Sequence, residues 1–234
     1  MFYANNISLN PSKRLILLSI FFLFSFNLVA QTDSTKLKVK STDFSYFRVG
    51  MDASKFVASG IAKNYNMMEF TVDANYKSNL ILSSEFGFGN SIVENEYLTY
   101  KSNNVFMRLG IDKTLFNKEF AGDMDNAFVG IRYGFGFVNR GEANYTIYNT
   151  IYGNSNGQIR ATQFLTHWLE LTGGFKMEIK KNIFIGWNIR MKTFINPKKF
   201  EQLPPSYVAG YGRADKNTAF GYNFYLMYGF GKRK

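Results

Sequence analysis

Between Asn66 and Tyr76 the chain alternates strictly: Met68, Phe70, Val72, Ala74 and Tyr76 fall on one parity, and Met67, Glu69, Thr71, Asp73 and Asn75 on the other. Successive side chains of a strand point to opposite faces, so the stretch reads as a strand with one apolar and one polar face. The same period returns in NVFMRLGID (104–112 with Val105 in phase), NIFIGWNIRMK (182–192) and AFGYNFYLMYGF (219–230). Less regular stretches complete eight predicted strands, over 44–53, 66–76, 79–88, 103–112, 127–137, 164–177, 183–194 and 219–230. Most exceed the usual strand of about 5 or 6 residues and match the roughly 9 to 11 that a tilted strand needs to cross a bilayer.

The seven links between these strands run 12, 2, 14, 14, 26, 5 and 24 residues. With the N-terminus on the periplasmic side, the first, third, fifth and seventh become long outer loops, and the second and sixth become short periplasmic turns, as in outer-membrane barrels. The fourth link, KTLFNKEFAGDMDN at 113–126, is too long for that scheme.

Alternation alone also fits a soluble barrel or sandwich with its apolar face inside. The polar parity favours the opposite orientation. It carries six acids, Asp52, Glu69, Asp73, Glu85, Asp112 and Glu170, against six bases, Arg48, Arg108, Arg132, Lys176, Arg190 and Lys192. Inside a narrow barrel these charges have to pair, because an unpaired buried charge costs several kcal/mol; on a soluble sheet they would be surface salt bridges. In the fifth strand the same parity reads Phe128, Gly130, Arg132, Gly134 and Gly136. Such a face suits a crowded interior, where glycine leaves room for a long neighbour such as Arg108. Phe47, Tyr76, Phe86, Phe88, Phe135, Phe137, Phe220, Tyr228 and Phe230 lie near the predicted strand ends, where interfacial aromatic girdles belong.

Composition adds an export signal. Lys13 and Arg14 precede LILLSIFFLFSFNLVA, which closes on Val29-Ala30, the parts of a signal peptide over 1–30. That run is shorter than the roughly 20 apolar residues of a membrane helix. A short periplasmic segment (31–43), a barrel domain (44–230) and a basic tail (231–234) complete the expected organisation. Removal of the signal lowers the formal charge from +11 by the two positive charges of Lys13 and Arg14. No cysteine is present, so disulfides are excluded.

Candidate chemistry is sparse. The Gly-Phe-Gly runs at 87–89, 134–136 and 229–231 could be mistaken for phosphate loops, but none is followed by a helical pattern. His167 is the single histidine, too little for a transition-metal site. Paired with Ser84 or Ser206 it would serve a lipid deacylase or acyltransferase, a minor alternative to an interfacial anchor beside Trp168. Asp123 and Asp125 lack the rest of a calcium loop, so no metal and no cofactor is expected. The outer loops carry Tyr145, Tyr148, Tyr152, Tyr207 and Tyr211 among Asn, Ser and Gly, a composition common on binding surfaces. The basic excess of an exported chain suits anionic lipid head groups or solubility, not nucleic acid.

On the strings RVGMD, GIRYGFGF, YTIYNT, HWLELTGGFKMEI and NIFIGWNIRMK, the chain resembles an uncharacterised family of Gram-negative outer-membrane β-barrel proteins, a domain of unknown function, over about Phe44 to Phe230. The resemblance implies a barrel and a location and brings no catalytic residues. The expected protein is an all-β, eight-stranded antiparallel transmembrane barrel of outer-membrane type. Its expected role is structural or adhesive, with a plugged, charge-paired lumen; its partners are outer-membrane lipid and an extracellular or envelope protein. A His167 lipid-modifying enzyme and a soluble lipocalin-like periplasmic carrier are the alternatives.

Overall fold

The computed structural model describes residues 46–61, 64–77, 79–116, 123–196 and 203–231. The expected signal peptide (1–30), the segment 31–43 and the tail beyond Gly231 lie outside them. In chain order the elements are β1 (Tyr46–Asp52), α1 (Ala53–Ile61), β2 (Tyr65–Lys77), β3 (Leu80–Glu94), β4 (Leu98–Thr114), β5 (Asn126–Arg140), β6 (Ala143–Ile147), β7 (Ser155–Ile159), β8 (Thr162–Lys180), β9 (Ile183–Phe194), β10 (Tyr207–Val208), β11 (Gly212–Arg213) and β12 (Thr218–Gly231). The eight expected strands are β1 to β5, β8, β9 and β12. Each pairs antiparallel with its neighbours, and β1 closes on β12, giving a closed eight-stranded β-barrel. No described helix is long and apolar enough to cross a membrane.

The registers fix the barrel's geometry. A hydrogen-bonded row that starts at Val49 passes Val72, Ser84, Leu109, Tyr133, Leu169, Thr193 and Thr218, and the β1–β12 register, extended past its last pair at Asp52, would bring it back ten residues further on. Ten residues of about 3.3 Å set against eight spacings of about 4.8 Å tilt the strands by about 41° and give a backbone radius of about 8 Å. That bore is filled by side chains. Every barrel strand turns its polar parity inward and its apolar parity outward: along β5, Phe128, Gly130, Arg132, Gly134 and Gly136 are buried, whereas Val129, Ile131, Tyr133 and Phe137 are exposed.

Inside, the side chains sort into three layers. An apolar cluster of Tyr46, Met124, Phe184, Tyr225 and Met227 lies at the lower end, which carries the tight β2–β3 and β8–β9 turns. Charged residues occupy the middle. A second apolar cluster, including Met67, Phe106, Val138, Trp168, Phe194 and Tyr211, lies at the upper end.

The long links depart from simple loops. The first contains α1, whose start is capped by Asp52: its Oδ1 accepts from Ser54 N (2.9 Å) and Ser54 Oγ (2.6 Å). The third is mostly strand. β3 and β4 stay paired to Glu94–Thr99, and Asn95 Oδ1 turns the chain by accepting from Tyr97 N and Leu98 N. The fifth forms the β6–β7 hairpin, which extends the sheet through Leu98–Tyr145. The seventh carries β10 and β11 and packs into the upper cluster. Of the fourth, 117–122 lie outside the described residues; its strand portion ends at Thr114, and Met124 is buried at the lower end. Because β3 and β5 run past the apolar stretch, Phe86, Phe88, Phe135 and Phe137 sit within strands and not at their ends.

Arg108 fills none of the space beside the inward fifth-strand glycines: Asp112 of β4 lies against Gly130, and Trp168 and Thr166 of β8 lie against Gly134 and Gly136. Gly134 pairs with Trp168, and a Cβ built on Gly134 would overlap the indole ring. Gly134→Val is expected to destabilise the barrel by about 1–3 kcal/mol through overpacking, read as a lowered urea midpoint; Gly60→Ala, with open space around it, is expected to leave the midpoint unchanged or slightly raised.

Candidate functional site

The middle layer is a continuous ionic network. Glu85 is its hub: Oε2 meets Arg108 Nη2 at 2.8 Å, and Oε1 meets Arg190 Nη2 at 2.7 Å and Arg132 Nε at 3.1 Å. Arg108 also contacts Glu69 and, at 3.3 Å, Glu170 Oε1. Arg190 Nη1 reaches Glu170 Oε2 at 2.8 Å, and its Nη2 donates to the Tyr225 hydroxyl. Below them, Arg132 binds Asp112 (3.0 Å), Lys176 binds Asp73 (2.6 Å) and Asp112 (3.5 Å), and Arg48 binds Asp73 (3.4 Å) and donates to Asn126 Oδ1 (3.0 Å). Adjacent inward positions on paired strands create two of these contacts: Glu85 faces Arg108, and Arg48 faces Asp73, across one rung of the ladder.

All six acids and six bases of the polar parity are buried. Two do not enter ion pairs among the described residues. Asp52 caps α1 and accepts from Asn223, whose amide also reaches Glu69 Oε1 (3.0 Å). Lys192 sits above the network and donates to the carbonyls of Gly210 (2.7 Å) and Tyr211 (3.0 Å). Three participants were not read from the sequence. Arg140 is buried near the upper rim and donates to the carbonyls of Gly141 and Arg160. Trp168 Nε1 donates to Glu170 Oε1 at 2.7 Å, so this tryptophan is an interior residue and no interfacial anchor. Tyr225 shares the inward parity with Asn223; its hydroxyl lies between Glu69 and Glu85.

The five loop tyrosines separate into two groups. Tyr145, Tyr148 and Tyr152 belong to the β6–β7 hairpin and its tip, where Tyr152 is 88% exposed beside exposed Ile147 and Ile151. Tyr207 and Tyr211 instead enter the barrel mouth. Tyr211 is 1% exposed, stacked on Phe194 and edge-on to Trp168, and its hydroxyl donates to Asn217 O at 2.6 Å. Gly210, at φ +79°, supplies the left-handed turn that aims the two carbonyls at Lys192 and Arg108. Burial pushes the Tyr211 phenol up to about 12 and the Tyr207 phenol well above its ordinary value, so both stay neutral.

His167 faces outward, and the Tyr133 hydroxyl meets its Nδ1 at 2.6 Å. Ser84 is three strands away on the same outer face, roughly 14 Å at the usual strand spacing. Ser206 belongs to the mouth segment, where its backbone N–H donates to Tyr100. Neither serine forms a hydrogen bond with His167 among the described residues. No group of three or more metal-ligating side chains occurs among the described residues.

Residues 13–230 match a family described as Domain of unknown function (DUF6048). The chain belongs to this family. No curated protein matches it. The DUF6048 match covers every barrel strand and the segment that fills the mouth, in agreement with the uncharacterised family that the sequence resembles.

Removing the hub carboxylate leaves three buried guanidinium groups short of a partner. Glu85→Ala is expected to lower unfolding stability by about 3–5 kcal/mol, whereas Asp215→Ala, which breaks the exposed Arg213–Asp215 pair, is expected to change it by less than about 1 kcal/mol; parallel urea titrations check both.

Proposed function

We propose that this chain is an outer-membrane β-barrel of structural or surface-interaction type, with a lumen closed to solutes. The observation that carries the proposal is the outer face of β12. Phe220, Tyr222, Phe224, Leu226, Tyr228 and Phe230 are all exposed, without a polar residue between them on that parity. Phe220 and Phe230 are ten residues apart, which at about 3.3 Å per residue and a tilt of about 41° is about 25 Å along the barrel axis, the height of the apolar band of outer-membrane barrels. In water such a continuous apolar surface would be an aggregation liability. In a bilayer it is the solvated face. A lipocalin-like carrier needs an open apolar cavity, and here the middle of the interior is ionic and apolar side chains fill both its ends.

What supports a closed lumen is the two apolar clusters and the network between them, with the 203–214 segment as the outer stopper. Surface interaction falls to the β6–β7 hairpin, whose exposed Ile147, Tyr148, Ile151 and Tyr152 form an aromatic tip on a rigid support, suited to an extracellular or envelope protein. Outer-membrane lipid is the other partner. The Tyr133–His167 pair satisfies the histidine on the lipid-facing side, which supports an anchoring role over an enzymatic one.

Fractionation tests the proposal. The chain is expected in the outer-membrane fraction and to migrate differently in detergent gels with and without boiling. Recovery in the soluble periplasm would overturn it.

A further inference from the structure

One hydrogen-bonded row on the outer face is chemically unlike the rest. Asn66 pairs with Asn90, Asn90 with Asn103, Asn103 with Asn139 and Asn139 with Gln163, so five adjacent strands present five carboxamides in register. All five residues are exposed, and their side chains make no hydrogen bond among the described residues. The next outward row beneath them is wholly apolar: Met68, Phe88, Val105, Phe137 and Leu165. A shallow groove of about 690 Å³ runs along the two rows.

The strand tilt gives this ladder a direction. Each step from β2 towards β8 climbs about 3 Å towards the upper end, so Gln163 stands about 13 Å above Asn66. A bilayer surface would cut across the register rows; the carboxamides follow one row instead. Their lower end therefore lies beside the apolar belt and their upper end well clear of it. A compact phospholipid head stays at the level of the lower end. Among the described residues, Lys101 is the one charged residue next to the ladder on the outward face of these strands; Arg140, beside Asn139, points inward, so little in the surroundings selects for phosphate.

We infer that this ladder is a binding site for a glycolipid with an uncharged, extended sugar head: the acyl chains lie on the Phe88, Val105 and Phe137 row, and the sugar hydroxyls climb the carboxamides, each of which offers both donors and an acceptor. The inference rests on the barrel being in a bilayer.

The test is native mass spectrometry of the full chain released from phosphatidylethanolamine vesicles that contain equal amounts of digalactosyl diacylglycerol and phosphatidylglycerol. The wild type is expected to retain the galactolipid about fivefold over phosphatidylglycerol, and the Asn103→Ala/Asn139→Ala double variant less than about twofold, the loss of one or two modest hydrogen bonds. Asn139→Gln, which keeps the carboxamide, is expected to hold the preference. Equal retention of the two lipids by the wild type, or an unchanged preference in the double variant, overturns the glycolipid site alone. A chain that fails to insert into the vesicles overturns the bilayer reading and the site with it.

Discussion

Three guanidinium groups, those of Arg108, Arg132 and Arg190, converge on the Glu85 carboxylate in the middle of the barrel. Charges taken this far from water stay charged only while each keeps its partners, since breaking one pair exposes the others to the full desolvation cost. The remainder of the interior answers to that constraint. Inward glycines let long side chains cross the bore, as Gly134 does for Trp168. Trp168 and Tyr225 direct their polar atoms at Glu170 and Glu85, and apolar clusters lie at both ends of the charged layer. Lys192 ties the upper cluster to the mouth segment through the Gly210 and Tyr211 carbonyls.

A charged interior leaves the apolar residues only one place to go. With polar parity inward on every strand, the hydrophobic free energy that ordinarily drives a sheet to fold against a core is unavailable in water; on the proposed outer-membrane reading, burial of the outer face by lipid would supply it instead. On that reading fold and location are one physical problem. The same inversion explains why glycine and arginine, poor candidates for a core in a soluble domain, occupy most inward positions of β5.

The strands, their pairing and the inward charges were legible because the apolar belt imposes a period of two. Beyond the belt that signal fails. In β3 past Phe88 and in β4 before Val105, outward Asn90 and Asn103 face away from inward Ser91 and Ser102; both faces are polar, so the strand extensions read as loop. The mouth segment was misread for a related reason. Tyr211 sits among glycines and polar residues that resemble an exposed loop, and its burial against Phe194 and Trp168 depends on partners distant in sequence. Trp168 carried a usable sign, because it shares the parity of Thr166 and Glu170. The helix α1 gave little: it is nine residues long and buries none of them.

If the apolar parity meets lipid and the polar parity meets the barrel interior, neighbouring positions of one strand differ sharply in what reaches them. The chain contains no cysteine, so single cysteines placed in turn at 129 to 137 of β5 can carry a nitroxide spin label in reconstituted vesicles, with collision rates measured against oxygen and a water-soluble nickel complex. Oxygen is expected to dominate at 129, 131, 133, 135 and 137, with both reagents excluded at the positions between. Odd positions that collide chiefly with the nickel complex would contradict it.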